Sequence, residues 1–230
     1  MNTQTHKCEG VILTALNYKD YDQILTLFTQ EAGLMKIFVK RAWSKKEGKG
    51  SNTAPLTHAE FIYTIHKSEL YTCRELSVLN LNLQLRKNLN SLEAACDMGK
   101  ALLASQMLHK PSPDLYKLLL YYMEKIPLAP FPEILAASFR LKILRHDGLF
   151  GLNSQCSLCH EELASQHISE GESFCERHAP RGSTTLTSEE ARIVSILAYS
   201  RSLEELAALQ LSSVLCRKID SFFDKQMLPH

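Results

Sequence analysis

The sequence lacks an excess of charge of either sign, and it lacks any long hydrophobic run. Its 230 residues include 26 basic and 25 acidic side chains, so the formal net charge is only +1. This balance gives no global attraction to nucleic acid or to a membrane, and any basic surface has to be local. No run approaches the about 18 apolar residues that a membrane helix needs, and residues 1–10 contain no apolar signal core. The composition predicts a soluble, cytoplasmic protein.

Signatures of common enzyme classes are also absent. The sequence contains no Gly-x-Gly-x-x-Gly motif, no phosphate-binding Gly-Lys-Ser/Thr loop and no Gly-x-Ser-x-Gly elbow. Asp20 and Asp22 are close together, but they lie in a predicted turn that they can solvate or cap, so we assign them no acid catalysis. Disulfides are not expected, because the seven cysteines are an odd number and Cys8, Cys73 and Cys96 lie alone in apolar or helical segments.

Residues 1–80 have the pattern of a small β domain. Five short runs rich in Val, Ile, Leu, Thr, Phe and Tyr are separated by polar, turn-like pieces such as NYKDYD. Five strands suit a closed barrel, which leaves no exposed edge, or a sandwich. The strand count is compatible with an OB-type barrel and with an SH3-like one.

The rest of the chain is mainly helical in pattern. Residues 84–109 place apolar side chains three and four apart and stop before a proline, which predicts one continuous helix. Ser112 is a candidate N-cap, Gly148 a candidate helix end, and Thr187 with Glu190 a candidate capping box. Further helices are predicted at residues 112–126, 132–148, 187–200 and 212–227. Their apolar stripes are expected to pack one bundle core.

The segment CSLCHEELASQHISEGESFCERH contains two pairs of metal-ligand residues. Cys156 with Cys159, and Cys175 with His178, are each separated by two residues, and such a pair on a tight turn can face one ion. This spacing predicts a zinc site, with iron–sulfur ligation as the lesser alternative. The fourth ligand is left open, because His160 or His167 could replace His178.

A site with four protein ligands is predicted to be structural. Four ligands fill a tetrahedral zinc ion and leave no position for an activated water. A zinc deaminase would need His-x-Glu upstream of Pro-Cys-x-x-Cys, and here Gln155 precedes Cys156. In so short a segment, bound zinc is expected to supply most of the local folding energy, on the order of 10 kcal/mol.

A local basic cluster lies in the stretch KIFVKRAWSKKEGKG. Several lysines and one arginine, opposed only by Glu47, surround the single tryptophan. Basic side chains neutralise phosphates, and an exposed indole can stack on an unpaired base, so the stretch suits single-stranded nucleic acid. The alternative is a solvated, mobile loop with the tryptophan packed on the barrel rim. The candidate DNA-binding residues are Lys36, Lys40, Arg41, Trp43, Lys45, Lys46 and Lys49.

Taken together, these motifs resemble the RecO family of bacterial recombination mediator proteins over nearly the whole chain. The segments that carry the resemblance are EGVILTALNYKDYDQILTLFTQEAGLMKIFVKRA at the start, FRLKILRHDGLFGLNSQCSLC before the first cysteine pair, and EGESFCERH at the second. Within the first segment the matching positions are Gly10, Val11, Leu13, Tyr18, Asp20, Asp22, Phe28, Thr29, Gly33, Lys40 and Ala42.

The resemblance implies an α+β fold, with an N-terminal OB-fold barrel followed by an α-helical domain that carries an inserted zinc finger. The implied segments are an OB-fold DNA-binding domain at residues 1–80, the helical domain at 81–153 and 181–230, and the zinc finger at 154–180. It also implies non-enzymatic binding and annealing of single- and double-stranded DNA near the nucleoid, with RecR and in many bacteria RecF. Together these proteins load RecA onto DNA coated by the single-strand-binding protein, whose acidic, apolar C-terminal tail the family recognises.

Three departures from the family pattern are visible. The family usually has Lys-Gly-Ala-Arg after the third strand, whereas this chain has KRAW from Lys40 to Trp43. The finger ends in His178 where four cysteines are usual, which still suits zinc. Gly151 stands where a proline commonly precedes the first cysteine pair.

Two other functions remain open on sequence grounds. One is a protein-interaction adaptor that binds partner tails and contacts little DNA. The other is a metal-dependent hydrolase, which would need an open coordination position. For the acidic tail, a basic-rimmed groove is the expected receptor, and Arg140, Lys142 and Arg145 on the third helix are the candidates.

Overall fold

The computed structural model describes residues 4–19, 21–42, 52–65 and 70–227. The chain forms two compact units, Met1–Pro127 and Leu128–His230. The two units meet in the sequence between Pro127 and Leu128. The predicted domain boundaries near residues 80, 153 and 180 stay predictions. No helix in the described part of the chain has the length and apolar content to span a bilayer.

The first unit contains a closed five-stranded barrel with the strand order β1-β2-β3-β5-β4. Its strands are β1 (Thr5–Tyr18), β2 (Asp22–Thr29), β3 (Gly33–Val39), β4 (His58–Thr64) and β5 (Leu70–Asn80). The long β1 pairs with β4 through its first half and with β2 through its second half, and its register shifts between Ile12 and Thr14. A short parallel pairing of β3 with β5 closes the barrel. This order confirms the predicted barrel and identifies it as an OB fold.

The barrel core follows from the period-two alternation of its strands. Every second side chain of β1 to β4 points inward, and most of these inward positions are apolar. Cys8 is one of them, and burial raises the pKa of its thiol to about 12, so it packs as a small apolar side chain. The buried core consists of Cys8, Ile12, Leu25, Leu27, Met35, Ile37, Ala59, Phe61 and Tyr63.

The helix predicted at residues 84–109 is interrupted, so that prediction was wrong in its extent. Leu83–Lys87 form a 3-10 turn, and α1 spans Leu89–Ser105. Asn88 between them is extended, and its side chain accepts a hydrogen bond from the Asn90 N–H as the N-cap of α1. Asparagine is a preferred N-cap because this bond satisfies an otherwise unpaired helix donor.

The second helix, α2 (Pro113–Lys125), begins after Ser112 as predicted. The Ser112 hydroxyl does not cap the helix; it donates a hydrogen bond to Gln106 Oε1 at 2.9 Å. Tyr116 of α2 is buried against the barrel, with its hydroxyl 3.0 Å from His58 Nε2. Burial raises the pKa of the Tyr116 hydroxyl, so this group stays a neutral hydrogen-bonding partner.

The segment between α1 and α2 is fastened to the start of β3. The His109 N–H donates to the Leu34 carbonyl at 2.8 Å, and Leu34 and Leu108 form a parallel bridge. Gly33 has a positive φ of 63°, and a Cβ there would lie 1.9 Å from the Lys110 carbonyl oxygen. Only glycine allows this close approach of two backbones.

We therefore expect Gly33→Ala to lower the free energy of unfolding by about 3 kcal/mol, because left-handed strain and a clash with backbone act together. Thermal unfolding measures this loss. Gly148→Ala is the matched control, since Gly148 also has a positive φ of 75° but nothing lies within 4 Å of its added Cβ. The control should cost about 1 kcal/mol. Equal losses for both variants would contradict the clash.

The second unit combines helices with a small sheet. Its helices are α3 (Pro132–His146), α4 (Ser188–Tyr199), α5 (Leu203–Ala207) and α6 (Ser213–Met227). The strands β6 (Gln166–Ser169), β7 (Glu172–Phe174) and β8 (Thr184–Leu186) form an antiparallel sheet in the order β7-β6-β8. The buried Ser138 of α3 donates to the Leu197 carbonyl of α4 at 2.6 Å, which fixes these two helices together.

The predicted helix ends of the second unit are confirmed. Thr187 Oγ1 accepts a hydrogen bond from the Glu190 N–H at 3.2 Å, and Glu190 Oε2 accepts one from the Thr187 N–H at 2.9 Å. This reciprocal pair is the predicted capping box at the start of α4. Gly148, with its positive φ, follows the end of α3.

Candidate metal centre and nucleic-acid interface

Two tight turns of the second unit carry the predicted metal ligands. In the first, the His160 N–H donates to the Cys156 carbonyl at 2.9 Å; in the second, the His178 N–H donates to the Cys175 carbonyl at 3.0 Å. The β6–β7 hairpin joins the turns, and its antiparallel pairing brings its two ends together. The two ligand pairs are separated in the sequence, but the hairpin between them brings them together in space.

The four ligand atoms of Cys156, Cys159, Cys175 and His178 all lie within 4.8 Å of one another. Cys156 Sγ is 3.8 Å from His178 Nδ1, Cys175 Sγ is 3.3 Å from the same nitrogen, and the sulfurs of Cys159 and Cys175 are 3.9 Å apart. A tetrahedral zinc ion with ordinary bond lengths separates such ligand atoms by about 3.5 to 3.8 Å. The cluster could therefore hold a metal ion.

The three histidines considered for the fourth position have different surroundings. His178 directs Nδ1 into the cluster. His167 lies on β6 with its Nδ1 3.1 Å from Thr185 Oγ1 of β8. His160 has a positive φ of 60° and closes the first turn through its backbone. The geometry favours His178, and the assignment of the fourth ligand stays a proposal.

Hydrogen bonds prepare the cluster for a cation. Burial raises the pKa of the Cys156 thiol, but bonds from the backbone N–H groups of Cys159, Cys175 and Leu158, and from His178, outweigh it and lower that pKa to about 5. Cys156 is therefore a thiolate at neutral pH, which is the form that binds metal.

A carboxylate and a guanidinium lie beside the cluster. Arg177 NH2 and Glu161 Oε2 are 2.6 Å apart, and the same carboxylate oxygen is 3.7 Å from Cys159 Sγ. The hydrogen bond and charge of Arg177 lower the pKa of Glu161. The pair is exposed, so it adds little stability.

The predicted DNA-binding residues fall into two groups. Lys36 is exposed in the middle of β3, and Lys40 and Arg41 are exposed just after the strand ends. Arg41 is held there by its backbone N–H, which donates to Asp22 Oδ1 at 2.9 Å, so Asp22 has a structural contact. Four of the predicted residues lie outside the described part of the chain: Trp43, Lys45, Lys46 and Lys49. Asp20 also lies outside it.

The outer face of β1, β2 and β3 carries exposed aromatic and apolar side chains that the sequence analysis did not single out. Leu16, Ile24 and Phe38 form one cross-strand row in the barrel register. Leu16 is 64% exposed, Tyr21 56% and Tyr18 43%. The Tyr18 ring meets the Phe38 ring edge-on, with centroids 5.9 Å apart. An apolar row on the solvent side of a barrel indicates a binding surface.

Cations border this row. Lys19 Nζ lies 5.4 Å from the centroid of the Tyr18 ring. Lys36 of β3 and Lys40, just after the strand, alternate with Phe38 in the sequence, and both lysines are exposed. We call the surface formed by Leu16, Tyr18, Lys19, Tyr21, Ile24, Lys36, Phe38, Lys40 and Arg41 the aromatic–basic face. Aromatic rings beside basic side chains are the usual composition of surfaces that bind single strands.

The predicted basic residues of α3 do not share one environment. Arg140 forms an ion pair with Asp220 of α6, with 3.0 Å between NH1 and Oδ1. Lys142 donates to the Ser200 carbonyl at 2.6 Å, and Arg145 donates to the Ala198 carbonyl at 3.0 Å. The latter two therefore bind carbonyls at the end of α4, where cations are favourable.

Lys142 and Arg145 belong to a larger basic cluster. Burial, followed by the charges of Arg145 and Arg201, lowers the pKa of Lys142 to about 8. The Arg145 guanidinium lies 4.9 Å from the centroid of the Tyr199 ring, which is itself 42% exposed. Three cations beside an exposed ring form a surface that suits an acidic, partly apolar ligand.

Two family models match most of the chain. The family model "Recombination protein O N terminal" matches residues 1–82, and "Recombination protein O C terminal" matches residues 98–228. The chain is 28% identical over 217 residues to the DNA repair protein RecO of Chlamydia muridarum, covering 93% of this chain and 92% of that protein.

Further relatives agree. The chain is 30% identical over 219 residues to the DNA repair protein RecO of Chlamydia pneumoniae, covering 94% of this chain and 86% of the relative. It is 23% identical over 175 residues to the protein of the same name from Bacillus cereus, covering 75% and 70%. The OB barrel, the Cys/His cluster and these matches over both halves lead to one conclusion: the chain belongs to the RecO family of DNA repair proteins.

Proposed function

We propose that this protein is a non-enzymatic mediator of homologous recombination and repair that binds single- and double-stranded DNA and promotes the annealing of complementary strands. With RecR, and with RecF where it is present, it would help to load RecA onto DNA coated by the single-strand-binding protein. Family membership supports this role, since the relatives are DNA repair proteins.

The observation that carries the proposal is the aromatic–basic face of the barrel. Bases have π-faces that stack on aromatic rings such as the exposed Tyr18 and the half-buried Phe38, and each stacked base contributes about 1 to 3 kcal/mol. Phosphates are neutralised by the neighbouring Lys36 and Lys40. A single strand can use both kinds of contact at once, whereas a duplex hides its bases and uses mainly the cations. Lys45, Lys46, Lys49 and Trp43 are proposed as additional DNA contacts.

Annealing follows from the same charges. Two complementary strands repel each other through their phosphates, and a basic surface that binds both lowers this repulsion. Pairing then proceeds without nucleotide hydrolysis, so the proposed role requires no bond to be made or broken by the protein.

The test is fluorescence anisotropy of labelled single-stranded DNA across a salt series. If four or five phosphates are neutralised, the logarithm of the association constant should fall with the logarithm of salt concentration with a slope of about −3. A slope near zero, or no binding in dilute buffer, would contradict the proposal. That result would favour the alternative role as a protein-interaction adaptor.

The metal site is proposed to be structural zinc. Its donors, three sulfurs and one imidazole nitrogen, are those that zinc prefers, and four such donors fill the tetrahedral coordination of a zinc ion. Cys156, Cys159, Cys175 and His178 would hold the ion, and the bound zinc would supply cross-linking of the two turns. A complete set of protein ligands leaves no coordination position for hydrolysis.

The basic cluster of the second unit supports the proposed recognition of an acidic partner tail. Lys142, Arg145 and Arg201 supply positive charge, and Tyr199 supplies an exposed ring. The acidic, apolar tail of the single-strand-binding protein has matching chemistry. Arg140 is included in the proposal as a flanking cation, although its ion pair with Asp220 makes it the least available of the three predicted residues.

A further inference from the structure

A groove of about 340 Å³ opens in the OB barrel where β3 and β5 part. The two strands pair in parallel only from Lys36–Phe38 with Leu70–Thr72. Beyond this pairing β3 ends at Val39, whereas β5 continues to Asn80, so the strands diverge and leave a gap. The groove is therefore a consequence of unequal strand lengths in a barrel that closes by a short seam.

The lining of the groove combines positive charge with apolar surface. Lys40, just after β3, and Arg74 of β5 are exposed and line the groove, while Val39 and Leu76 contribute apolar side chains. Glu75 is the acidic residue in the lining. Two cations and one carboxylate leave a net positive groove, which suits a ligand that has both an anionic group and a flat apolar part.

A buried hydroxyl also lines the groove. Thr53 is 2% exposed, and its Oγ1 has no hydrogen-bond partner among residues 4–19, 21–42, 52–65 and 70–227. A buried polar atom without a partner has lost its hydrogen bonds to water without replacement, which is unfavourable. A ligand with hydrogen-bonding groups on its edge would remove this cost, so Thr53 is a second, independent indication of a binding site.

We propose that this groove binds one nucleotide, with the phosphate at Lys40 and Arg74 and the base inserted towards Thr53. This inference rests on the proposed function and deepens it. The volume lies at the low end of ligand pockets, so it suits a single nucleotide. Lys40 also belongs to the aromatic–basic face, so a strand lying along that face can turn its next nucleotide into the groove.

The first test uses three small probes in an NMR titration of the isotope-labelled full-length chain: thymidine monophosphate, 2-deoxyribose 5-phosphate and inorganic phosphate. Thymidine monophosphate should shift the backbone amides of Thr53, Arg74 and Leu76. It should bind about tenfold more tightly than deoxyribose phosphate, since only the nucleotide carries a base. Equal affinity for all three probes would mean that the groove binds only an anion, and it would overturn the proposal. The proposal would also fail if the amide signals of the groove residues did not shift.

Thr53→Val keeps the shape of the side chain and removes the hydroxyl. It should weaken thymidine monophosphate about fivefold, the loss expected for one hydrogen bond, and leave deoxyribose phosphate unchanged. Because the native hydroxyl has no hydrogen-bond partner in the described part of the chain, the variant is expected to fold normally, and its NMR spectrum verifies this. If the folded variant binds thymidine monophosphate as tightly as the native protein, Thr53 does not contact the nucleotide, and insertion of the base is contradicted.

Two neighbouring residues give a matched pair for binding of a labelled thymidine oligonucleotide. Arg74→Gln should weaken binding about fivefold and make the salt slope shallower by about one, because one phosphate contact is lost. Glu75→Gln makes the same kind of change with the opposite charge and should leave binding equal or tighter. Weaker binding by both variants would indicate a structural effect and contradict the assigned phosphate contact.

These results separate the inference from the proposed function. If oligonucleotides bind but the groove variants and the three probes show no effect, the groove proposal fails and the DNA-binding function stands. If thymidine monophosphate occupies the groove but oligonucleotides fail to bind in dilute buffer, the proposed function fails and the nucleotide site remains.

Discussion

Replacement of Cys175 by serine is expected to remove the metal from the protein and to unfold residues 154–180. The β6 and β7 strands have only four and three residues, so their pairing alone contributes little to holding the two turns together. Bound structural zinc contributes on the order of 10 kcal/mol of folding energy in such segments, far more than these strands supply alone. Metal content by mass spectrometry and hydrogen exchange of the segment measure the effect, and strong chelators should reproduce it.

Cys96→Ser is the matched control, because Cys96 is a half-buried thiol on α1 outside the cluster. It should leave the metal content unchanged. The barrel of the first unit should keep its slow exchange in both variants. A Cys175→Ser protein that retains one metal ion and protected β6–β7 amides would contradict the structural role.

The identity of the fourth ligand can be resolved in the same experiment. His178→Ala should lose the metal, whereas His178→Cys supplies a sulfur at the same place and should retain it. His160→Ala and His167→Ala should keep full occupancy. Loss of metal from either of these two variants, with retention in His178→Ala, would reassign the ligand.

The second large effect is expected on the aromatic–basic face. The double variant Lys36→Glu and Lys40→Glu should weaken binding of single-stranded DNA about 100-fold or more in dilute buffer, because two phosphate contacts become repulsive. The salt slope should become shallower by at least about two. Both side chains are exposed, so the fold should persist, which thermal unfolding checks.

Stacking can be separated from charge with Tyr18→Ala and Phe38→Ala together. Loss of two stacked bases should also weaken binding about 100-fold, but the salt slope should stay the same. Lys87→Glu with Lys117→Glu changes two exposed lysines on the helical side of the first unit and provides the charge control. If this control weakens binding as much as the Lys36 and Lys40 variant, binding depends on net charge and the face has no special role.

The sequence predicted the barrel because alternation along β1 to β4 is a local pattern. It left the choice between OB-type and SH3-like open, since the β3–β5 pairing depends on residues more than 30 positions apart in the chain. It also missed the break at Asn88, because apolar spacing continues through Leu85 and Leu89 although only Leu85 is buried. The periodic pattern cannot reveal a local cap that overrides it.

The candidate sites differ in the same way. Cys156, Cys159, Cys175 and His178 were predictable because metal geometry demands close spacing within each pair, and the hairpin between the pairs is short. Tyr18 and Tyr21 belong to the segment NYKDYD, whose polar residues predict only a turn, so the sequence alone does not indicate their place on the aromatic–basic face. Extending the alternation of β1 through Leu16 to Tyr18, and noting Phe38 between Lys36 and Lys40, would have found them.

The seam between β3 and β5 has a mechanical consequence. It has three register pairs in the described strands, whereas every other strand pairing of the barrel has at least seven. A barrel with such unequal pairings separates first at the shortest one, because the fewest hydrogen bonds oppose separation of the strands there. The barrel is therefore expected to open first between β3 and β5, while the other four strand pairings stay intact.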